Sequence, residues 1–308
     1  MNPPFPTPAL RMRTVRAVDE LRPALATARS AGRTIGLVPT MGALHEGHVS
    51  LIRRARRECD VVVVSLFVNP AQFDERADLD RYPRDERRDA ELAADAGADI
   101  LFTPPVEEVY PPGFATTVEV RGLTDRLEGA VRGAEHFRGV CTVVAKLLGM
   151  ALPDVAYFGQ KDAQQLVVIR RMVADLNLPV RVQACPTVRE RDGLALSSRN
   201  ARLSAEQRSR AIALPEALHA ATRAAADGVR DGAELIAAAS AAIGKRGVEP
   251  EYVELVDPDS LAPCQRLEHD ALLLVAARIG ETRLIDNTML RASVAHSPTQ
   301  LDPRKALA

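Results

Sequence analysis

The sequence lacks paired cysteines. Its four, Cys59, Cys141, Cys185 and Cys264, stand far apart with no CxxC pair, which argues against a zinc site and a disulfide scaffold and fits reduced thiols in a cytoplasm. It also lacks an excess of either charge. Forty basic against 41 acidic side chains give a formal net charge of −1, so no global field draws in nucleic acid or an anionic membrane, and phosphate recognition has to be local. No apolar run approaches the roughly 18 residues that span a bilayer, and the N-terminus, MNPPFPTPAL, lacks the basic-then-apolar layout of a signal peptide. No internal repeat is present. The expectation is a cytoplasmic protein with no membrane or nucleic-acid partner.

At 308 residues the chain is long enough for two domains. The stretch from Thr34 to Arg56, TIGLVPTMGALHEGHVSLIRRAR, organises it. Thr34 to Val38 reads as a buried strand stopped by Pro39; Gly42 and Gly47 let backbone approach a ligand; Val49, Ile52 and Ala55 recur at helical spacing. A helix beginning near His48 presents free N–H groups and a positive dipole end to an anion, and His45 and His48 add two donors. Plain α/β scaffolding gives the same pattern. The zinc motif HExxH spaces its histidines four apart, whereas these are three apart around Gly47, and the dinucleotide fingerprint GxGxxG is absent from this stretch.

Further strands are expected at Asp60 to Phe67, Ile100 to Thr103, Asp154 to Phe158 and Pro179 to Cys185, alternating with helices at Val18 to Ala31, Arg84 to Ala96, Gly139 to Met150 and Ala163 to Leu176. The unbroken β-branched run DVVVVSLF predicts a parallel strand covered on both faces. Polar residues past the carboxyl ends of such strands are ligand candidates. Asn69 and Gln72 follow one strand, although Asn before Pro also starts turns. Gly159-Gln160-Lys161-Asp162 follows another, with Lys161 as a point charge for phosphate and Asp162 as a ribose or Mg²⁺ partner or simply a helix cap. Gln164 and Gln165 open the next helix and face the crevice or solvent. Val106 to Arg138, with a possible strand at Thr117 to Val120, reads as a lobe over the site, in which Arg132, His136 and Arg138 serve anions or are solvated. Pro186 to Leu203, holding Ser197, Ser198, Arg199 and Asn200, reads as a phosphate-contacting loop or an exposed linker. Ser204 and Gln207 have capping-box spacing. A helical region broken near Gly228 then leads to strands at Glu251 to Leu255, Ala271 to Ala277 and Thr282 to Ile285, the last two joined as a hairpin.

The fold class expected is α/β. A Rossmann-like parallel sheet forms the N-terminal domain, residues 1–186, and a smaller α+β domain, residues 187–308, closes over the site; residues 1 to about 12 are mobile and the tail after about 292 is disordered.

Taken in order, Met41-Gly42-Ala43-Leu44-His45-Glu46-Gly47-His48, Phe67-Val68-Asn69-Pro70-Ala71-Gln72-Phe73, Asp78-Leu79 with Tyr82-Pro83-Arg84, His136-Phe137-Arg138-Gly139, Phe158-Gly159-Gln160-Lys161-Asp162 with Gln164-Gln165-Leu166, and Leu196-Ser197-Ser198-Arg199-Asn200 closely resemble the pantothenate synthetase family of HxGH nucleotidylyl transferases. The match runs from about residue 14 to 290. It implies ATP-dependent condensation of (R)-pantoate with β-alanine through an acyl adenylate, releasing AMP and pyrophosphate, by a homodimer using Mg²⁺ bound mainly through the ATP phosphates. It assigns ATP to Met41, Gly42, Ala43, Leu44, His45, Glu46, Gly47 and His48, to Gly159, Gln160, Lys161 and Asp162, to Val188, and to Leu196, Ser197, Ser198 and Arg199. Catalysis falls to His48, His45 and Lys161, with His48 as proton donor. Gln72 and Gln165 match pantoate-binding glutamines, and Gln72 also lies where β-alanine enters. Gln160 stands where the family usually has Glu, and Leu196 where it often has Met. Two alternatives share part of these features: transfer of a nucleotidyl group to a phosphorylated acceptor, and a nucleotide-binding module without catalysis.

Overall fold

The computed structural model describes residues 12–73 and 79–292. The expected mobile N-terminus (apart from Met12), the expected disordered tail and Asp78 lie outside these residues.

Six strands form one parallel sheet: β1 (Arg13–Val15), β2 (Ile35–Thr40), β3 (Val61–Leu66), β4 (Ile100–Phe102), β5 (Val155–Gly159) and β6 (Arg181–Cys185), in the order β1-β4-β3-β2-β5-β6. The side-chain alternation of a strand divides its core in two. Val61 and Val63 join Ile35 and Leu37 beneath the helices Val18–Ser30 and Ala134–Ala151, while Val62 and Val64 join Val38 beneath Glu46–Glu58 and Glu86–Asp95. All four valines are buried, as the unbroken run predicts. Each contributes roughly 1.5–3 kcal/mol of hydrophobic stabilisation.

The strand order fixes where a ligand can sit. From β2 the chain winds outward through β3 to β4, then returns to the other side of β2 and continues through β5 to β6. The order therefore reverses between β2 and β5, and such a reversal opens a crevice at the carboxyl ends of the two strands.

The second unit is a three-stranded antiparallel sheet of β7 (Pro250–Val256), β8 (Ala271–Ile279) and β9 (Thr282–Leu290), in that order. Leu273, Val275 and Ala277 of β8 pack on the helices Ala213–Ala226 and Gly232–Gly244. The opposite face, with Leu272 and Leu274, packs with Val256 on Leu127, Ala163 and Val167 of the first unit. Both faces of β8 are thus covered. The Gly280-Glu281 hairpin is present, Gly280 supplying the positive φ of +58° that its turn requires. The Ser204–Gln207 capping box is present too.

Several expectations are corrected. Pro39 lies inside β2 because the pairing of β2 with β5 ends at Leu37, so its missing donor leaves no gap there. The helix after β2 starts at Glu46 with His45 as its cap, two residues before His48. Thr117 to Val120 is not a strand: this extended segment lies against a helix, Val118 N–H donating to Thr142 Oγ1 at 3.0 Å. That helix begins at Ala134, so His136 and Arg138 sit in its first turns and not in a loop. The helical region breaks at Ile212 as well as near Gly228. β1, three residues long, was not expected, and β9 extends five residues beyond Ile285.

Candidate active site

At the switch point lies a cavity of about 290 Å³. The turn after β2 forms one wall. Gly42 (φ +83°) and Ala43 (φ +52°) adopt left-handed conformations that bend the backbone back towards the helix start. The buried carboxylate of Asp89 holds the bend, accepting from Ala43 N–H at 2.8 Å and Leu44 N–H at 2.7 Å. A Cβ on Gly42 would lie 3.0 Å from that carboxylate.

The histidine rings lie against each other, centroids 4.2 Å apart and tilted by 32°. His45 Nδ1 accepts from Gly47 N–H at 3.1 Å, and His48 Nδ1 accepts more weakly from His45 N–H at 3.4 Å. Both rings thereby carry their proton on Nε2, the tautomer being assigned from these bonds. Burial lowers the His48 pKa to about 3, with His45 and Lys161 adding to the effect; burial and then Lys161 lower that of His45. At neutral pH both are uncharged donors beside a helix N-terminus.

The turn after β5 faces them. Lys161 Nζ lies 3.6 Å from Asp162 Oδ1. Burial alone would raise the Asp162 carboxyl, but Lys161, Arg199 and Arg132 outweigh it and hold the pKa below its ordinary value. Here opposite charges lie side by side and compensate each other.

A third wall follows β3. Asn69 is buried and fully engaged: its Nδ2 donates to Gln72 Oε1 at 3.0 Å and Gly139 O at 3.1 Å, and its Oδ1 accepts from Tyr110 Oη at 2.8 Å and Ala71 N–H. Its work is to hold Gln72, whose Nε2 has, among the described residues, only the weak acceptor Met41 Sδ at 2.9 Å. A Cβ at Gly139 would lie 2.1 Å from Ala71 O, so only glycine lets the helix come this close.

Met41, His45, Gly47, His48, Gln72, Gly159, Lys161, Asp162, Gln165, Val188, Leu196, Ser197, Ser198 and Arg199 all line the cavity, with Arg132 and His136. Gly42, Ala43 and Leu44 shape the turn from behind. Glu46 points away to pair with Arg53, and Gln160 is exposed. Gln164 lines the cavity as expected, but its amide is engaged: the residue is buried, donating to Leu123 O and Arg126 O and accepting from Glu128 N–H.

Other residues were missed. Asp89 falls four residues before the buried Ala93 on one helical stripe, a legible signal in a helix otherwise charged outward. From the second unit, Arg283 reaches Glu128 and Tyr252 Oη donates to Glu128 Oε1 at 2.7 Å. Arg283 outweighs burial to hold the Glu128 carboxyl below its usual range. Asp286 and Asn287 also line the cavity. Long-range pairing brought these together, and no local pattern marks them.

A family model described as pantoate-beta-alanine ligase matches residues 13–289. The chain is 56% identical over 274 residues to the pantothenate synthetase of Cereibacter sphaeroides, covering 89% of this chain and 98% of that one. It is 50% identical over 283 residues to that of Pelotomaculum thermopropionicum, covering 91% and 99%. The crystal structure of the Thermus thermophilus pantothenate synthetase superposes with a TM-score of 0.86 at 50% identity, covering 91% of this chain and all of that one. A Francisella tularensis pantoate-beta-alanine ligase, solved with a β,γ-ATP compound and β-alanine, gives 0.74 at 34% identity, covering 90% and 97%. A model match across nearly the whole described chain, joined to a doubly wound sheet whose switch point gathers the histidine and lysine turns, means that this chain belongs to the pantoate–β-alanine ligase family.

Proposed function

We propose that the chain condenses (R)-pantoate with β-alanine in two steps. A pantoate carboxylate oxygen attacks the α-phosphorus of ATP, the bond to the bridging oxygen breaks, and pyrophosphate leaves, giving pantoyl adenylate. The β-alanine amine then attacks the acyl carbon, AMP departs with the bonding pair, and the nitrogen loses a proton to give pantothenate. The observation that carries this reading is the meeting, across one crevice, of neutral imidazole donors and a lysine at two adjoining strand ends. That arrangement suits a transfer needing charge stabilisation more than a protein nucleophile.

In this proposal ATP lies along residues 41–48, 159–162, 188 and 196–199. His48 donates Nε2–H to phosphate oxygens as charge gathers, acting as a neutral electrophile rather than a cation. Gln72 and Gln165 hold pantoate, and β-alanine enters beside Gln72. The weakly engaged Gln72 Nε2 supports this, since a pantoate oxygen is a better acceptor than a thioether. Bound Mg²⁺ would draw off negative charge from the departing pyrophosphate. Asp162 offers one carboxylate to such an ion.

The division into residues 1–186 and 187–308, with the second part closing over the site to keep water from the adenylate, belongs to the same proposal. It is supported by the second unit's contribution of Arg283 and Asn287 to the cavity. A homodimer follows from the family resemblance, and a cytoplasmic setting from four free cysteines.

The test is isotope exchange. Given pantoate and Mg²⁺ without β-alanine, the enzyme is expected to exchange labelled pyrophosphate into ATP; exchange stops when pantoate is omitted, and AMP and pantothenate appear in equal amounts once β-alanine is added. Pantoate-independent exchange, or ADP and phosphate as products, overturns the acyl-adenylate mechanism.

A further inference from the structure

Two adjacent residues of β9 hold both loops of the second half of the site. Successive strand residues point to opposite faces, and β9 is an edge strand. Asp286 and Asn287, both buried, use that alternation to reach two different partners. Asn287 Nδ2 spends both hydrogens on the turn after β5, donating to Gln160 O and Lys161 O at 2.9 Å each. Asp286 receives Arg189 in a bidentate pair at 2.6 and 3.0 Å, tying down the segment that leads to Ser197, Ser198 and Arg199. It also accepts from Asn287 N–H at 2.8 Å, which links the two grips.

On its other side the Lys161 turn has one backbone anchor, Gln160 N–H to Cys185 O at 2.8 Å. One anchor sets the height of the turn; the two bonds from Asn287 set its rotation, and with it the direction in which the Lys161 stem leaves the backbone. Because β9 is seated by the apolar contact of Leu272 and Leu274 with Leu127, Ala163 and Val167, the direction of Lys161 depends on how the second unit is docked.

We propose that Asn287 is a positioning residue for adenylate formation, acting through Lys161 and making its placement contingent on the docking of the second sheet. This rests on the role given to Lys161 above. An outer partner that orients a reacting group is typically worth about 10- to 100-fold in activity.

The experiment is a double-mutant cycle read by single-turnover, pantoate-dependent adenylate formation, with ATP affinity measured by calorimetry. Asn287→Ala is expected to slow adenylation about 10- to 100-fold with ATP affinity little changed. Asn287→Asp, of the same size but unable to donate, is expected to fall as far. In a Lys161→Ala background, Asn287→Ala should cost no more than about twofold, because the group it orients is gone. Should Asn287→Ala fold poorly, Asn287→Ser carries the same cycle. A near wild-type rate in the variants, or the same loss in both backgrounds, overturns the inference. If the wild-type protein forms no adenylate, the proposed function fails and this inference with it; if it does and the cycle is additive, only the inference fails.

Discussion

The turn after β2 is fastened from within its own unit, and the turn after β5 from the other. In the first, Asp89 grips two backbone N–H groups from a helix that packs on the same sheet, and the side chains presented are half-buried, neutral histidines. In the second, Asn287 crosses from β9 to grip two carbonyls, and the working groups are the charged Lys161 and Asp162. In the proposed function, one strand–turn–helix plan therefore serves phosphate in two ways. The first turn is preorganised when its sheet folds. The second is completed only when the small sheet docks, so a site assembled from both can be whole in one arrangement of the units and incomplete in another.

The largest expected effect separates the two kinds of donor. His48→Ala and Lys161→Ala should each slow adenylate formation about 100- to 1000-fold in single-turnover assays with the melting profile unchanged. A neutral donor can partly replace a neutral donor, so His48→Asn should recover part of the loss, whereas Lys161→Gln should not. Recovery by Lys161→Gln but not by His48→Asn would reverse the assignment of neutral and charged roles.

A smaller effect separates the two fastenings. Asp89→Asn keeps the size of the side chain but turns an amide nitrogen towards one of two buried N–H groups, so urea unfolding should report a loss of about 1–3 kcal/mol. Asn287→Ala, whose partners are neutral carbonyls, should cost about 1 kcal/mol. Equal losses would mean that the first turn is no more firmly built than the second.

The smallest is the pH response of the first turn. Burial holds His48 far below its ordinary value of 6.5, at about 3. Between these values the unfolded chain binds a proton that the folded chain does not, so the His48 contribution to stability is fully present above pH 6.5 and lost progressively as pH falls towards 3. Denaturant midpoints for the wild type and His48→Asn at pH 7.5 and about pH 5 should show a shallower decline in the variant. An imidazole nitrogen NMR signal for His48 that is already protonated at about pH 6 would contradict the burial argument.

Much of the fold was legible because its signals are local. The valine run of β3, the helical spacing of Val49, Ile52 and Ala55, and the Ser204–Gln207 capping box each act through neighbours in sequence, and each is present as expected. The motif residues that line the cavity were legible as candidates from their places after parallel strands or from the family resemblance. Non-local facts misled the reading. Pro39 is tolerated because β5 stops pairing short of it, and the amide of Asn69 is taken up by partners 41 and 70 residues away.

By itself the sequence determined the alternation of strand and helix, the covered central strand, and the residue types at the strand ends, because steric propensity and hydrophobic period are properties of short segments. Only the tertiary structure decided the strand order that creates the switch point, the neutrality of His48, and the grip of Asn287 on the Lys161 turn. Each of these depends on which distant surfaces exclude water from a group or bring a donor to it, and a parallel sheet settles that only when the whole chain has closed.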